Sequence, residues 1–343
     1  MAGQGATVFG LSGPCLLPDE AAFFAEAQPW AFILFARNVE TPDQLRALTS
    51  DLRAAVGREA CVMIDQEGGR VARLGPPHWR SWRPPLDQVA RAGANARRSL
   101  YLRYRLIADE LNALGIDVNC APCADIARPE THPVLRNRCL GSDAVTVARN
   151  ARAVADGLLA GGVLPVVKHI PGHGRARLDS HKALPHVTAD VATLSSNDFM
   201  PFRALSDLPL GMSAHIVYDV LDSTAPATTS ARMCALVRDD IGFDGLMMSD
   251  DISMQALSGD VASRSRAALT AGVDLVLHCN GDLAEMQAIA AVAGPMSRAA
   301  RTRASRALSL RKSPGLIDID ALEAELEALL GDTTEKEADG GRF

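Results

Sequence analysis

The chain has 343 residues, 48% of them hydrophobic, which is enough for a sizeable core in one large domain or two ordinary ones. A formal net charge of −6 and only 4% aromatic residues argue against nucleic-acid partners, which need a basic face and stacking platforms. No apolar run approaches the length of a membrane span, the first residues lack the pattern of a signal peptide, and seven scattered cysteines fit reduced thiols, so a cytoplasmic protein is expected.

Short apolar runs recur along the chain at Thr7–Leu11, Ala31–Phe35, Cys61–Ile64, Val118–Ala121, Leu164–Val167, Leu210–Ala214, Gly245–Met248 and Asp274–His278. Amphipathic stretches lie between them, at Thr41–Val56, Ala94–Leu114, Ala144–Leu159, Ser230–Ile241 and Val261–Ala271. Thr41 followed by Pro42 is a sound helix start. The alternation predicts a parallel sheet. Eight such units favour a single-domain (β/α)8 TIM barrel over a doubly wound open sheet. Asp65, Asp125, Lys168, His169, His215, Asp250 and Asn280 each follow an apolar run, and only a barrel gathers all such strand ends on one rim. Extra C-terminal helices are expected at Arg298–Leu310 and Ile319–Leu330. The barrel domain with its C-terminal helices is therefore drawn over residues 1–331, with 332–343 a polar, disordered tail.

The densest chemistry lies in Lys168-His169-Ile170-Pro171-Gly172-His173-Gly174, followed four residues later by Asp179-Ser180-His181. Glycine and proline make this a loop, and loops on a rigid scaffold concentrate catalytic groups. Asp179 can accept from one nitrogen of His181 and leave the other for proton transfer. Asp250 and Asp251 end a buried strand, so alternation turns one toward the barrel axis and the other away. Asp250 reads as a nucleophile or charge stabiliser, and both read otherwise as helix caps. The loop from Asp65 through Glu67 and Arg70 to Arg73 offers carboxylate, amide and guanidinium groups suited to vicinal hydroxyls. His78, Trp79 and Trp82 fit either a sugar site or surface packing. A zinc site among His169, His173, His181 and Asp179 is set aside: the spacing matches no zinc motif, Lys168 intrudes, and no cysteine pair lies nearby. Cys120 and Cys123 have redox spacing but sit at a strand end rather than a helix start.

Taken together, these segments resemble the bacterial single-domain β-N-acetylhexosaminidases of glycoside hydrolase family 3. The resemblance rests on Asp65–Arg73, the loop around Arg138, Lys168–Gly174, Asp179–His181, Ser213–His215 and Gly242–Asp251, and spans roughly residues 5 to 295. It implies Asp250 as nucleophile, His181 as general acid/base and Asp179 as its orienting partner. It implies Asp65, Arg73, Arg138, Lys168 and His169 as the clamp on a terminal N-acetylglucosamine, with no metal and no cofactor. The implied substrates are muropeptides of a cytoplasmic cell-wall recycling route, taken by a monomer through a retaining mechanism. Ile170 and Cys139 depart from the family pattern. A phosphorylase, a metal-dependent hydrolase and a non-catalytic sugar-binding protein are the other readings.

Overall fold

The computed structural model describes residues 4–178 and 183–331. Asp179, His181 and the tail at 332–343 lie outside them. Among the described residues, eight parallel strands close a barrel: β1 (Gly5–Gly10), β2 (Pro29–Leu34), β3 (Cys61–Ile64), β4 (Val118–Asn119), β5 (Leu164–Ile170), β6 (Leu210–Ser213), β7 (Leu246–Asp251) and β8 (Leu275–His278). Each strand pairs with its sequence neighbour, and β8 returns to β1 through Thr7–Val276 and Phe9–His278. Two short strands, His186–Val187 and Val217–Tyr218, pair outside the barrel.

Period-two patterning explains the closure. Val8, Ala31, Ile33, Met63, Leu164, Val166, Leu210, Met212, Leu246, Met248, Leu275 and Leu277 point inward and form one buried cluster. Their strand neighbours, among them Phe9, Phe32, Val62, Ile64, Val167 and Met247, face the helices and form the larger cluster. Strands buried on both faces read as unbroken apolar runs, which is why all eight were visible in the sequence.

The helices begin where side chains can cap them. Thr41, Asp143, Asp260, Asp282 and Asp318 each accept from a backbone N–H three residues on, at 2.7–3.2 Å. The helix Arg298–Ser309 inserts Ala300, Ala304 and Ala307 into the interior cluster and seals the N-terminal end. The helix Ile319–Leu330 lies on Ala96–Asn112 through Leu326, Leu102 and Leu106, with Arg98 bidentate on Glu325 at 2.6 and 2.8 Å. Helices at Pro18–Ala27, Pro85–Ala92 and Leu283–Ala293 fall outside the amphipathic stretches named from the sequence. The last is almost uniformly apolar and carries no period to detect. No helix among the described residues is long and apolar enough to cross a membrane.

Candidate active site

With the N-terminal end plugged, the opening lies at the strand C-termini. A cavity of about 280 Å³ sits there, and Asp65, Arg73, Arg138, Lys168, His169 and Asp250 all face it. Every predicted clamp residue is therefore brought to one chamber, together with the predicted nucleophile. Leu178, the last described residue before the segment holding Asp179 and His181, is half exposed and lies on the same lining. Asp125 and His215 lie beneath this surface, and exposed Asn280 is not part of it.

One wall is an ionic lattice. Lys168 Nζ donates to Asp65 Oδ1 at 2.8 Å and stands 2.6 Å from Glu67 Oε1. Arg138 binds Glu67 in a fork at 2.9 and 2.8 Å, and Arg73 Nη2 donates to Asp65 Oδ2 at 3.0 Å. Burial would raise both carboxyls, but the surrounding cations outweigh it: Asp65 is held well below the usual carboxylate range and Glu67 is brought down to about 2. Burial would likewise lower the Lys168 ammonium, yet the two carboxylates hold its pKa above the ordinary lysine value. The charged groups of this wall are thus mutually satisfied and fixed before any ligand arrives.

Glu67 lies in the expected loop, but the resemblance assigns it no place in the clamp. It is 1% exposed and clamps two of the predicted clamp residues. Its signal was its place two positions after Asp65, where a buried carboxylate must find cations. The Gly68-Gly69 turn explains its setting. Gly68 and Gly69 have φ of 101° and 58°, and a Cβ on Gly68 would lie 1.8 Å from Arg103 Nη2. Only glycine allows the chain to turn there and bring Arg73 back over the barrel mouth.

A second relay holds the imidazoles. His169 Nδ1 is 2.7 Å from Asp125 Oδ2, while Asp125 Oδ1 accepts from the His173 backbone N–H at 2.5 Å. Burial opposes ionisation of Asp125, but the adjacent His169 and His173 bring it down to about 2. An ionised Asp125 fixes Nδ1–H on His169 and leaves its Nε2 lone pair on the pocket side, 3.4 Å from Arg138 Nη2. His173 packs edge-on against His169, and burial followed by that neighbour brings it down to about 4, so it is neutral near pH 7.

Asp250 and Asp251 both line the chamber, against the expectation that alternation would separate them. The β7–β8 register shifts between Leu275 and Leu277, so Asp251 sits opposite Leu277 at an irregular strand end. Their bonding still differs. Asp251 accepts from Ser253 N at 3.1 Å, Ser253 Oγ at 2.8 Å and Cys279 N at 3.3 Å, and so ties down the loop after β7. Asp250 Oδ1 accepts from the Asp251 N–H at 2.8 Å. Neither caps the next helix, a task performed by Asp260. His215 donates from Nε2 to the Asp251 carbonyl at 3.0 Å and holds this strand end from below. Trp79 and Trp82 pack against the outer core and line a separate groove.

The lattice makes stability depend on acid. Asp65, Glu67 and Asp125 have folded pKa values below their ordinary ones of 3.8, 4.5 and 3.8. Their contribution is complete above those ordinary values and is lost as pH falls through the depressed ones. The denaturant midpoint is expected to be level from pH 7 to 5 and to fall steeply toward pH 2.5. A midpoint unchanged at pH 3 would contradict the ionic account.

A sequence model for the N-terminal domain of glycosyl hydrolase family 3 matches residues 19–306. A β-hexosaminidase of Methylococcus capsulatus is 34% identical over 328 residues, 93% of this chain and 95% of that protein. A β-hexosaminidase of Pseudomonas aeruginosa is 33% identical over 307 residues, 88% of this chain and 91% of that one. Among solved structures, NagZ from Neisseria gonorrhoeae in complex with N-trifluoroacetyl-D-glucosamine superposes with a TM-score of 0.83 at 29% identity, covering 96% of this chain and 98% of that chain. The matched span takes in nearly the whole barrel and every described residue of the chamber, and the protein belongs to glycosyl hydrolase family 3.

Proposed function

We propose that this glycoside hydrolase is a retaining exo-β-N-acetylglucosaminidase, releasing terminal β-linked N-acetylglucosamine. The observation that carries the reading is the meeting, in one small chamber, of the Asp250 carboxylate with a pre-satisfied wall of Asp65, Arg73, Arg138, Lys168 and His169. A cavity of about 280 Å³ suits one sugar ring rather than an extended chain, which favours exo action. The relatives named β-hexosaminidase and the N-acylglucosamine analogue bound by the gonococcal protein favour the acetamido sugar.

In this reading Asp250 attacks the anomeric carbon and forms a glycosyl-enzyme while His181 protonates the departing oxygen. His181 then takes a proton from the attacking water, the ester bond to Asp250 breaks, and the sugar leaves with its original anomeric configuration. Asp179 orients His181 and stabilises its cation. The natural substrates would be cytoplasmic muropeptides, and exposed Arg70 on the chamber lining suits an acidic aglycone.

Hydrolysis of p-nitrophenyl N-acetyl-β-glucosaminide followed by proton NMR tests the proposal. The β-anomer should appear first; first appearance of the α-anomer, or a sugar phosphate formed only with added phosphate, would replace it. His181→Ala is expected to slow natural glycosides far more than aryl glycosides, whose leaving groups need little protonation. Equal losses on both substrate types would remove the acid role from His181.

A further inference from the structure

Behind the sugar-facing wall, donors far apart in sequence converge. Cys123 Sγ, an Asp125 carboxylate oxygen and a His169 ring nitrogen lie within 4.8 Å of one another, and all three residues are buried. Cys123 Sγ donates to Asp125 Oδ2 at 3.3 Å, and His169 Nδ1 is 2.7 Å from that same oxygen. The Cys139 thiol shares a small buried cluster with Cys123 and donates to the Leu135 carbonyl at 3.5 Å. The sequence hides the pairing, since Cys123 follows β4 and Cys139 belongs to the loop of Arg138.

Two thiols, one imidazole and one carboxylate are donor types that zinc takes in tetrahedral sites. Zinc–ligand bonds of about 2.0–2.3 Å place neighbouring donor atoms roughly 3–4 Å apart. Cys123, Asp125 and His169 already stand near that spacing, and Cys139 would turn from the Leu135 carbonyl to complete the set.

We propose that Cys123, Asp125 and His169, completed by Cys139, form an inhibitory site for Zn2+. The ion takes no part in glycoside cleavage. Its two positive charges replace the two thiol protons, which leave to solvent, so the net charge of the cluster is unchanged. His169 remains neutral, but its proton moves from Nδ1, now bound to the metal, to Nε2. In the metal-free arrangement Nε2 offers a lone pair toward Arg138 Nη2 at 3.4 Å. With zinc bound, an N–H points at the guanidinium instead, and this part of the sugar wall changes from acceptor to donor. Arg138 loses a partner and sugar binding weakens. Only this consequence rests on the glycosidase reading; the metal site does not.

Titration of the reduced, metal-free full chain with Co2+ tests the site. The expected result is a saturable thiolate-to-cobalt charge-transfer band with the visible bands of a tetrahedral ion, both bleached by Zn2+. Cys123→Val and Cys139→Val should retain hydrolysis of the aryl substrate, lose the charge-transfer band, and need about tenfold more Zn2+ or higher for half-inhibition. Absence of the band in the parent protein overturns the proposal, as does a band that survives both substitutions. Zinc inhibition undiminished in both variants assigns the ion to another place and also overturns it. Should the chain hydrolyse no N-acetylglucosaminide, the cobalt spectra still decide whether the site exists.

Discussion

Replacing Asp250 by alanine is expected to lower kcat/KM on an aryl N-acetyl-β-glucosaminide by about a thousandfold or more, because in the proposed mechanism its carboxylate forms the covalent bond to the sugar. Thermal stability should hardly change. The neighbouring Asp251→Ala should do the reverse. Its carboxylate receives Ser253 N, Ser253 Oγ and Cys279 N, so truncation leaves the loop after β7 untied. A loss of about 1–3 kcal/mol of stability is expected from those orphaned donors. Some activity should be lost too, since a loosened strand end misplaces Asp250, but far less than with Asp250→Ala. Trapping with a fluorinated sugar followed by peptide mapping separates the two carboxylates. A label on Asp251 would exchange their roles.

The different readability of these two residues follows from what a sequence encodes. Apolar runs buried on both faces announced all eight strands, and the polar residue after each announced the rim. The sequence alone could not show that Asp250 and Asp251 would both face the chamber, because the register shift at the β7–β8 end arises from neighbouring strands. Nor could it show that Glu67 lies at the centre of the ionic wall. Its partners Arg138 and Lys168 are 71 and about 100 positions away and meet it only after the barrel closes. The shared buried cluster of Cys123 and Cys139 is hidden for the same reason. Local patterning specifies elements; the long-range electrostatic matches belong to the closed barrel.

Lys168 shows how the fold and the site share one interaction. Its ammonium bridges Asp65 and Glu67, at 2.8 and 2.6 Å, and its side chain is 2% exposed. Lys168→Met keeps most of the volume and removes the charge. Asp65 retains Arg73 and Glu67 retains Arg138, but the buried Glu67 and half-buried Asp65 carboxylates then face each other without the cation between them. Breaking such a buried network is expected to destabilise the protein by about 3–5 kcal/mol, read as a lower denaturant midpoint. Neutralising one carboxylate as well, in Lys168→Met with Glu67→Gln, should recover part of that loss because the residual repulsion is gone. Sugar binding should not return, since the wall still lacks its ammonium donor. Recovery of stability without recovery of N-acetylglucosamine affinity would separate the structural use of Lys168 from its use toward ligand. A single variant as stable as the parent would mean that Arg73 and Arg138 suffice to hold both carboxylates, and the lattice would then owe its form to ligand binding rather than to folding.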